Sequence, residues 1–275
     1  MIDSATQISN DRLRSAMNLA FSDYPVPMRL EADAFDLMMR SRGLNKGLSQ
    51  VAILDGKVAA FWLMGARGSH AYLISSGTLP QFRRGGLSRM IGRSVIGDLK
   101  SKAFDTLQSE VLENNPAARA LYGALGFVET RTLACYTRPM QAQEATPNDL
   151  TICEISSIAS FASPFWDSKP SWQNDIPSLI DAGNHATCFA IQDTSGLVAY
   201  AAFVRAQSSL AQIAVRQDMR RKNLATQLLT YGQNTLNIDN LRAINVDRAN
   251  IGLNTFLCGV GARLTLSQKE LRLSF

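Results

Sequence analysis

Apolar residues recur at helical spacing across Asp11–Phe21, headed by Ser9 or Asn10 as a cap, and across Glu31–Arg42, closed by Gly43. Both stretches are predicted helices. Val51–Leu54 and Lys57–Met64 then flank Asp55-Gly56, a dipeptide that closes tight hairpins because both residues tolerate positive φ. A strand over Ala71–Leu79, a helix over Leu87–Leu99, a strand over Thr106–Leu112 and a helix over Pro116–Leu125 follow. Two last strands are expected between Phe127 and Thr137. That order predicts an α/β fold, a mixed sheet with helices on both faces.

The second half repeats the pattern. Ala186–Ile191 and Leu197–Val204 form another hairpin, followed by a strand at Leu210–Val215, a helix at Leu224–Leu236, a strand at Ala243–Val246 and a helix at Ile251–Val260. The residues themselves recur: Arg83, Arg84, Leu87 and Ile91 return as Arg220, Arg221, Leu224 and Leu228, each 137 positions on. Asn115 and Gly126 return as Asn250 and Gly261, 135 positions on, so a two-residue deletion between the motifs reconciles the offsets. An internal duplication is expected, with domains 1–139 and 140–275 and a boundary in the polar stretch Met140–Asp149.

Composition narrows the class. The 275 residues suit two domains, and the 46% apolar share is ample for two cores. No apolar run approaches the ~20 residues of a membrane helix, and the N-terminus lacks a signal-peptide layout. Cys135, Cys153, Cys188 and Cys258 lie far apart with only two histidines in the chain, so no metal site is expected and the thiols read as reduced and cytoplasmic. The net charge of +5 is not gathered into one run. It suits a small phosphorylated ligand, and neither a nucleic-acid nor a membrane partner is expected.

One segment carries candidate chemistry. Arg83-Arg84-Gly85-Gly86-Leu87-Ser88 joins a predicted strand to a predicted helix. A helix N-terminus presents unpaired N–H groups and a positive dipole end, and glycines let the backbone approach a diphosphate closely. Arg83 and Arg84 would add charge and forked donors. The plainer reading is a surface turn. Neither a GKS/GKT nor a GxGxxG sequence is present, which argues against ATP and nicotinamide cofactors.

A second segment is Asn115-Pro116-Ala117-Ala118-Arg119-Ala120-Leu121-Tyr122, continuing to Gly126-Phe127. Asn115 suits a helix cap, Pro116 the first helical position and Gly126 the stop. Ala118, Leu121, Tyr122 and Leu125 share one face.

Arg83-x-x-Gly86-x-Ser88 resembles the acetyl-CoA loop of the GNAT superfamily of N-acetyltransferases, with serine as a small residue departing from the usual last position. Asn115-x-x-Ala118-x-x-Leu121-Tyr122-x-x-x-Gly126-Phe127 resembles that family's closing motif, and the two stand in the family's order and separation across residues 76–127. The resemblance implies two tandem GNAT-like domains, each a mixed, mostly antiparallel sheet flanked by helices. It implies acetyl-CoA as the acetyl donor, gripped by Arg83–Ser88, with Gly77, Thr78 and Leu79 bonding the arm and thioester and Asn115 touching the arm. It also implies transfer to a primary amine on an unidentified small-molecule or peptide acceptor, with Tyr122 protonating the departing thiolate. Reference pKa values of ~10 for tyrosine and ~8.5 for a thiol make that donation sensible.

The base is read from the residues. Gln108 and Glu110 share one face of a strand expected to be covered on both sides, so that face meets a cleft. Glu110 leads, with Glu113 and His70 behind it; the competing reading has Glu110 bonded to backbone donors. Tyr122 likewise has a competing reading as a core residue. Asp23 and the aromatics of Phe21–Met28 are candidates for holding the amine. In the second copy Asn223, Asn245 and Leu257 stand where the first has Gly86, Glu110 and Tyr122, so that copy is expected to be degenerate. The alternative function is a non-catalytic acyl-CoA-binding sensor or interaction protein.

Overall fold

The structure, a computed structural model, describes residues 2–23, 29–141 and 150–275. The chain divides into two compact units, Met1–Thr130 with Lys269–Phe275, and Arg131–Gln268. Residues 142–149 of the stretch where the sequence sets its boundary lie outside the described residues.

In unit 1 the strands are β1 (Ile2–Ser4), β2 (Gln50–Leu54), β3 (Lys57–Arg67), β4 (His70–Thr78) and β5 (Thr106–Leu112), adjacent in that order, with the end of the final strand beside β5. β1 to β4 are antiparallel neighbours, while β4 and β5 run parallel. The helices are α1 (Asn10–Ala20), α2 (Ala32–Ser41), α3 (Leu87–Ser101) and α4 (Pro116–Gly123). Of the two caps the sequence offers, Ser9 caps α1, its hydroxyl accepting from the Arg12 N–H, and Asn10 is the first helical residue.

The core of unit 1 is set by period. Ile91, Val95 and Leu99 form one stripe of α3, and Leu107 and Val111 alternate inward from β5. They meet Trp62, Leu73, Tyr122 and Phe127 on the same side of the sheet. Gly92 is required there, because a Cβ would sit 2.7 Å from both the Leu125 side chain and the Trp62 ring. α1 lies against β3 and β4.

Unit 2 starts within β6 (Val128–Pro139) and contains β7 (Leu150–Cys153), α5 (Ile155–Ile158), α6 (Ile176–Ala182), β8 (Ala186–Asp193), β9 (Gly196–Val204), β10 (Ser209–Val215), α7 (Leu224–Thr235), β11 (Asn240–Asp247) and α8 (Ile251–Gly259). The final strand β12 (Arg263–Ser274) starts in this unit and ends in unit 1. From β7 to β11 the element order repeats that of unit 1, including the antiparallel β8–β9 hairpin and a parallel β10–β11 pair. Where two strands are expected between Phe127 and Thr137, one continuous strand, β6, runs over Val128–Pro139 and pairs with β11 of unit 2. β12 was not predicted at all, and its residues 269–274 belong to unit 1. Each half of the chain thus lends strand residues to the other unit.

Candidate active site

The site is built where β4 and β5 part. Their parallel pairing covers His70, Ala71 and Tyr72 against Thr106, Leu107 and Gln108, and ends there. Beyond it β4 carries an irregularity, its register with β3 shifting between the Leu63–Ser75 and Met64–Leu73 pairs. Such a bulge bends a strand. Sequence pattern alone does not show it, because the apolar alternation continues through Leu73 and Ile74.

On one face of this opening, Tyr122 of α4 is 6% exposed, and its Oη lies 2.9 Å from the Ser76 hydroxyl of β4. Its ring packs edge-on against Trp62 at 5.9 Å between centroids and tilts against Phe127 at 5.5 Å. The apolar stripe therefore fixes the ring while the hydroxyl reaches a polar partner. Ser76 was missed by sequence reasoning. Its signal was the Ser75-Ser76 pair inside an otherwise apolar strand.

On the other face, Glu110 accepts from the Tyr72 hydroxyl and, at 3.4 Å, from Gln108 Nε2. Gln108 Nε2 also donates to Glu270 at 3.0 Å, and Glu270 accepts from Thr130 Oγ1 at 2.9 Å. Burial pushes the Glu110 pKa up, Tyr72 opposes that, and the nearby Glu270 charge adds to it. The bonds to Glu110 come from side chains, where the sequence-level alternative imagined backbone donors. Tyr72 carried no polar signal in the sequence, and Glu270 arrives on the unpredicted β12.

The other base candidates sit elsewhere. Glu113 pairs with Lys269 at 3.1 Å. His70 Nδ1 lies 2.9 Å from Thr106 Oγ1, at the start of β4 and six residues before Ser76, on the order of 20 Å along an extended strand.

The loop before α3 has an alternating backbone: Arg84 and Gly86 adopt left-handed φ of 67° and 76°, and Gly86 is the cap of α3 with no side-chain cap bond. Successive turns of this kind aim N–H groups into a concave anion cradle. A Cβ built at Gly86 meets nothing within 4 Å, so the cradle is open. Arg84, Gly85 and Gly86 are exposed, and Leu87 and Ser88 are half-buried.

Arg83 has a different place from Arg84. Its guanidinium donates to both Asp23 oxygens at 2.6 and 2.8 Å, to Ala20 O at 2.8 Å and to Thr78 O at 3.2 Å. It clips the loop to the end of α1, and its hydrogen bond holds the Asp23 carboxyl below the ordinary range. Asp23 is thus engaged, and residues 24–28 of the segment proposed for amine holding lie outside the described residues.

The remaining candidates also have internal partners. Ser88 Oγ accepts from the Trp62 indole at 3.0 Å. Leu79 donates its N–H to Ala59 O at 2.9 Å. A Cβ at Gly77 would sit 2.6 Å from the Phe61 ring, so its glycine serves packing. Asn115 caps α4, accepting from the Ala118 N–H at 3.1 Å.

Unit 1 thus combines a parted parallel pair, an open loop at a helix start and a buried tyrosine whose hydroxyl bonds to β4. The model of the Acetyltransferase (GNAT) family matches residues 12–127, and the chain belongs to that family. Ribosomal protein bS18-alanine N-acetyltransferase of Salmonella typhimurium is 32% identical over 131 residues, 46% of this chain and 88% of the relative. Its Escherichia coli K12 namesake is 31% identical over 122 residues, 42% of this chain and 82% of the relative.

Within the family the arrangement is the tandem one. The fold matches a tandem GNAT protein from the clavulanic acid biosynthesis pathway with a TM-score of 0.73 at 13% identity, covering 100% of this chain and 98% of that one. It also matches a GCN5-related N-acetyltransferase from Sphaerobacter thermophilus with a TM-score of 0.73 at 14% identity, covering 100% and 95%. At that identity the likeness concerns the fold.

Proposed function

We propose that unit 1 transfers an acetyl group from acetyl-CoA to a primary amine, with Tyr122 as the proton donor and Glu110 as the base. The observation that carries this reading is the Tyr122 hydroxyl, held 2.9 Å from Ser76 on β4 at the side of the opening. The cradle at Arg84–Gly86 suits the diphosphate, and the edge of β4 beyond Tyr72, which β5 has left, suits the amide-bearing arm. Both loop arginines are exposed, but Arg83 is tied to Asp23 and shapes the loop, which leaves Arg84 as the arginine suited to a ligand phosphate.

The two candidate groups reach the opening from opposite faces of the sheet. Trp62, Ser76 and Tyr122 share the α3–α4 face, while Tyr72, Gln108 and Glu110 share the other. This arrangement suits a donor thioester approached by an amine from the second face. The nitrogen bonds to the acetyl carbon as the carbon–sulfur bond breaks. Its surplus proton passes to Glu110, directly or through water, and Tyr122 Oη gives a proton to the departing sulfur. A carboxylate with a raised pKa is the better base for an amine at neutral pH.

The test is thioester consumption by the full chain against a panel of amines that includes peptides beginning with alanine, the residue acetylated by the relatives. Turnover with at least one amine, giving one N-acetyl product per free thiol, is the expected result. Coenzyme binding with no transfer across the panel would favour the sensor reading.

A further inference from the structure

In unit 2, β7 and β8 pair antiparallel, and at the end of their register Cys153 stands directly opposite Cys188. Side chains of opposed residues lie on the same face of a sheet. The Cα atoms of such a pair are about 4.5 or 5.5 Å apart, according to whether the two residues exchange backbone hydrogen bonds, and a disulfide spans roughly 4.4–6.8 Å. Both kinds of pair therefore fit a bond between the sulfurs. Both thiols are free. The Cys188 thiol hydrogen-bonds to Cys153, and its other acceptor, Phe189 O, lies 3.9 Å away. Sequence spacing hides the pair, because residues 154–187, with α5 and α6, intervene.

The two thiols differ in access and in charge. Cys153 is half-buried on β7, the outermost strand at this end of the sheet, whereas Cys188 on β8 is fully enclosed. The hydrogen bond from Cys188 brings the Cys153 thiol down from 9.0 to about 7, with burial opposing it and Ser157 adding to it. The same bond, together with burial, pushes the Cys188 thiol up. Negative charge thus rests on the more accessible sulfur and the proton on the enclosed one. A thiolate whose pKa lies near ambient pH is well suited to attack a disulfide. The other two cysteines are placed differently. Cys135 is buried with its thiol bonded to Asn245 Oδ1 at 3.8 Å, and Cys258 is exposed on α8.

We propose that Cys153 and Cys188 form a reversible dithiol–disulfide site oxidised by low-molecular-weight disulfides, with Cys153 as the attacking thiol and Cys188 as the resolving one. The Cys153 thiolate attacks one sulfur of the small disulfide. That S–S bond breaks as a mixed disulfide forms on Cys153, and the other half leaves as a thiolate and takes up a proton. Cys188 then releases its proton to solvent and attacks the Cys153 sulfur, forming the internal S–S bond and expelling the second small thiol. Two protein thiols are oxidised and one small disulfide is reduced to two thiols. The new bond closes residues 154–187, with α5 and α6, into a covalent loop anchored on the outermost strand. The inference goes beyond the transferase reading and stands apart from it, because every residue used belongs to unit 2.

The test incubates the folded, reduced full-length protein with glutathione disulfide in the absence of air, alkylates the remaining thiols and maps the product by mass spectrometry. Wild type is expected to lose the Cys153 and Cys188 thiols together, linked to one another with no glutathione on either, and dithiothreitol should restore both. Cys188→Ser should stop at the mixed disulfide, with one glutathione on Cys153. Cys153→Ser should leave Cys188 unmodified. Melting curves confirm that the variants fold, and the wild-type map decides by itself if a serine in the core prevents folding.

Glutathione retained on Cys153 of the wild type without the internal linkage overturns the proposal, as does a linkage that forms only in denaturant. Oxidation confined to Cys258 overturns it too. A folded Cys188→Ser protein that takes up no glutathione at Cys153 contradicts the assignment of the attacking thiol.

Discussion

Glu110 accepts from Tyr72 and Gln108 beside a second carboxylate, Glu270, and burial raises its pKa from the ordinary 4.5. Two consequences separate a base from a structural group. As a base it must be ionised, so transfer should rise with pH through the raised pKa, placing the acidic limb above the usual carboxylate range. Glu110→Gln should remove that limb along with much of the rate. For stability, the folded state holds the proton more tightly than the unfolded chain. The cost of ionising Glu110 is therefore absent below the unfolded pKa and develops as pH rises through the folded one. Glu110→Gln, still able to accept from Tyr72, should raise the melting temperature at pH 8 and leave it little changed at pH 4. A stability gain with the acidic limb of the rate intact would leave Glu110 a structural residue. In the sequence, Gln108 and Glu110 announced themselves as polar residues alternating on a covered strand. Tyr72 did not, because a tyrosine in an apolar strand looks like ordinary packing, and Ser76 was marked only by the Ser75-Ser76 pair.

The loop–helix junction is the element that both units share. Arg84 and Gly86 in one, and Arg221 and Asn223 in the other, take the same left-handed conformations. Valine at position 86 would be strained by about 1–3 kcal/mol at that φ and would fill the open cradle with an apolar branch. Coenzyme affinity of unit 1 should then fall by roughly tenfold or more. Gly86→Asn, which copies unit 2, should keep the turn and most of the affinity. Equal coenzyme affinities in folded wild type and Gly86→Val, by calorimetry resolved for unit 1, would count against a cradle at this loop. The repeated arginines and the cap asparagines made this element legible from sequence, since the spacing of motif residues survives even where Gly86 becomes Asn223. β12 was not legible for a physical reason. Its leucines alternate as Leu264 and Leu266, then as Leu271 and Leu273, so the period-two pattern changes phase midway and no single strand template fits it. The phase changes where the strand leaves unit 2 and enters unit 1, whose core takes in Leu271 and Leu273.

For the whole molecule, the duplication was readable and the exchange of strand residues was not. A duplicated sequence states which segments resemble each other, but pairing partners depend on contacts between residues far apart in the chain, such as Gln108 and Glu270. The exchange places part of the unit 1 site on the last residues of the chain. The duplication also sharpens the functional account, because the second unit carries a buried Leu257 in place of Tyr122. If catalysis belongs to unit 1 alone, one hydroxyl governs transfer by the entire chain. Tyr122→Phe keeps the ring contacts with Trp62 and Phe127 and removes only the group that faces Ser76. The measurement is single-turnover acetyl transfer by the full-length protein with an accepted amine, which excludes product release from the rate. A fall of roughly 10²- to 10⁴-fold with coenzyme binding retained is the expected result for a positioned general acid. A folded Tyr122→Phe protein that transfers acetyl at the wild-type single-turnover rate would contradict the account and leave Tyr122 as a core residue, like Leu257 in unit 2.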